Sequence, residues 1–113
     1  MQNGSVVLLA GSFVAAAAVT ASRFIGPNSQ HAAAGANTIG VSRFDGAQGD
    51  LVTVDQLGTS IVEAGAPIAA YGLVEVGADG KAVPHDAGVA VGRVQMVPAQ
   101  APGDFVEVML IPN

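Results

Sequence analysis

Two histidines, six serines and a scatter of aspartates are the groups through which this 113-residue chain could do chemistry. His85-Asp86 has the types of a general base and the carboxylate that orients it, with Ser5, Ser12, Ser22, Ser29, Ser42 or Ser60 left to act as nucleophile. None of these serines lies in a Gly-x-Ser-x-Gly setting, so nothing in the sequence sharpens one of them. The plainer reading is that Pro84-His85-Asp86 is a polar turn between strands. Metal binding needs clustered ligands, and two separate histidines among Asp45, Asp50, Asp55, Asp79, Asp86 and Asp104 show no ligand spacing. The glycine-rich stretches lack a following Lys-Ser or Lys-Thr and a helix, which argues against a phosphate loop. Cysteine is absent, which removes disulfides and thiolate chemistry together. The expectation is a chain with no catalytic residues, no metal and no cofactor.

Binding is the other use of such residues. Arg23-Phe24 and Arg43-Phe44 repeat one dipeptide in a chain with only four cations. Either each Arg meets an acidic patch on a partner while each Phe anchors in a pocket, or each Phe is core and each Arg points outward from the opposite strand face. Both readings stay open at this level. The net charge of −5, with so few Lys and Arg, argues against nucleic acid or an anionic membrane as partner.

The elements that must position these residues begin with the run Val-Val-Leu-Leu-Ala-Gly-Ser-Phe-Val-Ala-Ala-Ala-Ala-Val-Thr-Ala-Ser, residues 6–22. It has the apolar content of a signal peptide but lacks a basic start, and Gly11, Ser12 and Thr20 interrupt it as a membrane span. A second copy decides between these and a buried strand. Residues 13–25 align with residues 62–74 at an offset of 49, which sets Val19 on Ile68, Ala21 on Ala70, Phe24 on Leu73 and Ile25 on Val74. Ile39-Gly40-Val41 resembles Val91-Gly92-Arg93 at an offset of 52, and residues 49–54 resemble residues 103–108 at an offset of 54. The second copy carries Glu63, Gly65, Pro67 and Gly72, which neither a membrane span nor a helix accommodates. The first copy is therefore expected to be strand, turn and strand, and the resemblance to an export signal follows from Ala-rich composition.

Elsewhere the pattern is of short strands. Residues 51–56 and 105–111 alternate apolar and polar positions, with Leu51, Thr53 and Asp55 on one side and Val52 and Val54 on the other. Asp79-Gly80 between Leu-Val-Glu-Val and Lys-Ala-Val predicts a tight hairpin. Six prolines, from Pro27 to Pro112, leave little room for helices, and only residues 30–36 suggest a helical turn. The fold expected is all-β: a small β-barrel or roll, β-clip or β-tulip-like, with an internal pseudo-twofold duplication. Residues 1–12 are expected as an N-terminal arm or edge strand and residues 13–113 as a single β domain, with approximate halves 13–61 and 62–113. Charged residues are only 12% of the chain and the core must be built from small side chains, so burial against other copies or a partner is expected to add stability.

The run from Val52 to Pro112, with its Gly-Asp-Phe-Val-Glu-Val-Met-Leu-Ile-Pro ending, resembles the capsid cement or head-decoration proteins of tailed bacteriophages. Val19-Thr20-Ala21-Ser22-Arg23-Phe24-Ile25 and Ile39-Gly40-Val41 resemble the first half of the same family. The resemblance implies a non-enzymatic virion protein, made in the host cytoplasm, that binds the outer face of an assembled capsid and stabilises it. Its partners would be the major capsid protein and copies of itself, as a trimer before a dimer. Contacts with capsid or subunit are expected from Val6, Val7, Leu8, Leu9, Arg23, Phe24, Arg43 and Phe44, with the first four adding as a strand to a neighbour. Two other classes compete: a β-clip module that binds a small molecule or carbohydrate, and an exported β protein.

Overall fold

A computed structural model describes residues 5–111. Eight strands follow in chain order: β1 (Val7–Val14), β2 (Phe24–Ile25), β3 (Gly40–Ser42), β4 (Leu51–Glu63), β5 (Leu73–Val76), β6 (Ala82–Pro84), β7 (Gly92–Val94) and β8 (Phe105–Leu110). They form one antiparallel sheet in the order β2-β3-β4-β8-β7-β5-β6, with β1 pairing against β4, and the sheet curls into a nearly closed barrel. The all-β architecture agrees with the sequence pattern. Closure comes from a parallel bridge between Ala64 and Ala82, where Gly65 N–H donates to the Ala82 carbonyl at 2.7 Å. That contact joins the last strand of the sheet to the end of β4, so few backbone groups are left unpaired there.

The strand β4 is long because it serves twice. Its first residues pair with β1 and β3, and its last residues pair with β8. The pairs Phe13–Val52 and Val14–Leu51 recur 49 and 54 residues later as Val62–Val106 and Glu63–Phe105. The pairs Phe24–Val41 and Val41–Asp55 recur as Leu73–Arg93 and Arg93–Met109. Outside the strands, the bridge between Val19 and Gly46 has its counterpart between Ile68 and Ala99.

Two apolar clusters result. One holds Phe13, Ala15, Val19, Ile25, Val52 and Val54. The other holds the matching Val62, Ala64, Ile68, Val74, Val106 and Val108, and it adds Phe24 and Val41 from the first half. Most members are Val or Ala, and a buried Val contributes about 1.5–3 kcal/mol. Of the apolar run at residues 6–22, Phe13, Ala15 and Val19 lie in the core, whereas Val6, Leu8, Leu9 and Val14 are exposed, so the run is a strand and turn that is buried only in part. Among the described residues no helix is long and apolar enough to cross a membrane.

Local expectations fare unequally. Asp79 (φ +56°) and Gly80 (φ +74°) turn the chain between β5 and β6, as the Asp-Gly pair implies. Residues 30–36 form no helical turn; they close a single tight turn in which Ala36 N–H donates to the Ala33 carbonyl at 3.0 Å. Tertiary bonds decide this, since Gly35 N–H donates to Val76 O and Val89 N–H donates to Gly35 O. β1 runs without a break across residues 12 and 13.

Candidate interaction surface

The two Arg-Phe dipeptides occupy different environments. β2 turns Phe24 into the core, where it has no exposed surface, and its Arg23 side chain is only 12% exposed. Arg23 Nη2 donates to Glu63 Oε1 at 3.1 Å and Nη1 to the Asp79 carbonyl at 3.1 Å, while Lys81 Nζ lies 3.5 Å from the other Glu63 oxygen. Arg23 therefore binds the two halves together. Phe44, just past β3, is 58% exposed. Arg43 reaches back to Asp55, donating from Nε to Oδ1 at 3.0 Å and also from Nη2. Ser60 Oγ donates to the other Asp55 oxygen at 2.8 Å, so this buried carboxylate is held from both sides. Neither reading of the repeated dipeptide covers both sites: one Phe is core and the other is surface, and both cations point at internal carboxylates.

Val6 to Leu9 pair within their own chain. Val6 N–H donates to Thr59 Oγ1 at 2.8 Å and Thr59 N–H returns to Val6 O at 2.8 Å, while Val7 lies opposite Gly58 and Leu9 opposite Leu57. Irregular register on either side of Leu9 leaves Leu8 and Leu9 exposed. Their side chains, unlike their backbones, are available to a partner.

The groups considered for catalysis are dispersed. His85 Nε2 meets the Gly88 carbonyl at 3.0 Å, and Glu75 accepts from Asp86 N–H and Gly88 N–H, which makes residues 84–88 a clamped polar turn. Ser42, Ser60, Arg43 and Asp55 line a cleft of about 160 Å³, where Ser42 Oγ already donates to the Thr20 carbonyl and Ser60 Oγ to Asp55. Among the described residues no group of three or more His, Asp or Glu is placed to hold a metal ion.

Two of the interior groups make stability depend on pH. Burial lowers the His31 pKa from its ordinary 6.5 and the Arg23 charge adds to this, outweighing the opposite pull of Asp79 and of the Thr20 backbone. The ring also accepts the Thr20 N–H at Nε2, which it can do only unprotonated. Burial raises the Glu63 carboxyl, but hydrogen bonds and charge from Arg23 and Lys81 outweigh it and leave the pKa below its ordinary 4.5. In both cases the unfolded chain binds the proton more readily, so stability falls as pH drops, first below 6.5 and again below 4.5. Urea midpoints measured at pH 7.5, 5.5 and 4 should fall in that order. His31→Gln, which can still accept from Thr20, should flatten the first step and leave the second.

One outward row went unnoticed in the sequence. Leu73 on β5, Arg93 on β7 and Met109 on β8 stand side by side, with Leu73 45% and Met109 39% exposed. They line a shallow groove of about 240 Å³ with Leu110 and Ile111. Arg93 is the cation without an ion pair among the described residues; Arg23, Arg43 and Lys81 are all engaged. The signal was available: aligning Val91-Gly92-Arg93 with Ile39-Gly40-Val41 sets a cation where the first half has a core residue.

Comparison with known proteins adds one informative likeness. No family model matches the chain, and no curated protein matches it closely. Among solved structures, the chain is similar to the N base of the head fiber gp8.5 of bacteriophage phi29, with a TM-score of 0.75 and 27% identity, over 91% of this chain and 93% of that one.

Proposed function

We propose that this chain is a structural virion protein that binds the outer surface of an assembled phage capsid and stabilises it, as decoration or cement proteins do. The likeness to a head fiber base over nearly the whole of both chains carries the proposal. The protein acts by non-covalent contact with the major capsid protein and with copies of itself, a trimer before a dimer, and performs no catalysis. It is made in the host cytoplasm and ends in the virion. The recurring strand pairs support a duplicated unit as its origin. Exposed Val6, Leu8, Leu9 and Phe44 are the members of the expected contact set with apolar surface to offer a partner, whereas Phe24 has none. A second reading, favoured by the same likeness, makes this domain the base of a head appendage.

Titration of capsids assembled from the cognate major capsid protein tests the proposal. Saturable binding at a fixed number of copies, with a rise in the temperature at which the capsid disrupts, is expected. Failure to saturate removes capsid binding; saturation without a stability gain favours the appendage base over the cement role.

A further inference from the structure

We infer that copies of this chain associate head to tail, with the Leu73–Arg93–Met109 face of one copy covered by the Val14–Leu51 corner of the next. The inference deepens the self-association proposed above and rests on it. Its origin is an unequal burial of matched positions. In the first half, the row Phe24–Val41–Asp55 has the same strand pairing as Leu73–Arg93–Met109 in the second. Phe24 and Val41 are 0% exposed because the second half packs on that side, both belonging to the cluster of Val62, Val74 and Val76, while Asp55, 4% exposed, is held by Arg43 and Ser60. The second half's own row lies open. One chain thus contains one covered and one uncovered version of the same face, the situation at the end of a head-to-tail stack rather than in a self-complementary pair.

Of what covers the first row, Val62 and Val74 match Phe13 and Ile25, which are buried in their own cluster, so the part with a free counterpart is the end of β4. Glu63, at the end of β4, sits over Arg23 beside Phe24. The position matching Glu63 in the first half is Val14, whose strand partner is Leu51. These two are 59% and 72% exposed and form an apolar corner that the barrel does not use. Asp50 precedes Leu51; its backbone carbonyl accepts from Ala15 N–H and its carboxylate Oδ2 from Ala47 N–H, which holds a carboxylate beside the same corner. An apolar pair beside a carboxylate complements an apolar row around an unpaired Arg. Because face and corner are different surfaces, repetition of the contact builds a ring if it closes.

The contact can be broken from either side. Leu73→Asp removes the face and Leu51→Asp removes the corner; both positions are exposed enough for the fold to tolerate the change, which circular dichroism verifies, and Arg93→Glu supplies a second face variant. Sedimentation velocity should show wild type as an oligomer and each variant as a monomer. Mixing Leu73→Asp with Leu51→Asp should then give a heterodimer, since each retains the surface the other lacks. Variants that keep the wild-type oligomer, or a mixture that stays monomeric, overturn the head-to-tail contact while self-association stands. A monomeric wild type at high concentration overturns both, and leaves capsid binding by single copies to the titration above.

Discussion

Gly40→Ala is expected to cost about 4 kcal/mol of folding stability, enough to deplete the folded state of a domain whose margin is about 5–15 kcal/mol. A Cβ at this position would overlap the Asp55 carbonyl oxygen and come within 2.8 Å of Val54 Cγ2. The obstacle is backbone, so no side-chain rotation relieves it. Nor can the strand move away, because Gly40 pairs with Ile25 of β2 while the adjoining Val41 and Ser42 pair with Asp55 and Val54 of β4. Its φ of +155° adds conformational strain for any residue with a Cβ. Gly49→Ala separates the two effects. At φ +90°, with no atom within 4 Å of where a Cβ would stand, it carries strain without overlap and should lose about 1–2 kcal/mol. Urea unfolding of the two variants measures the difference, and equal losses would show that the close approach at Gly40 does not limit the fold.

Much of the architecture was legible because local chemistry and tertiary structure agree. Alternation in residues 51–56 and 105–111 marks strands that bury one face, and Asp79-Gly80 marks a turn that needs positive φ. Legibility failed where a residue's neighbours come from distant sequence. Asp55 reads as solvent-facing from its alternation, yet it is buried because Arg43 and Ser60 converge on it. Residues 30–36 read as a helical turn from their alanines, but Val76 and Val89 fix Gly35 in another conformation. The candidate surface fared likewise. The alignment of residues 13–25 with residues 62–74 sets Phe24 and Leu73 at equivalent positions; which of the two is covered depends on how the halves stack, and no local pattern encodes that.

The sharpest consequence of that stacking concerns two residues in identical dipeptides. Phe24→Ala should cost about 3–5 kcal/mol, the usual penalty for truncating a fully buried Phe. Phe24 is the largest side chain with no exposed surface, and it belongs to the cluster that joins the first half to Val62, Val74 and Val76. The barrel cannot collapse into the space cheaply, because Val41 beside it is fixed on both sides by β2 and β4. Phe44→Ala removes the same atoms from a side chain that is 58% exposed and should change stability by less than about 0.5 kcal/mol. If Phe44 contacts the capsid, that variant should weaken capsid occupancy while its unfolding curve stays that of wild type. Phe24→Ala should show the reverse order of effects, with occupancy falling only as the folded fraction falls. Parallel denaturation and capsid-binding curves would test the assignment directly. Equal destabilisation by the two substitutions would contradict the burial that distinguishes them, whatever either does to binding.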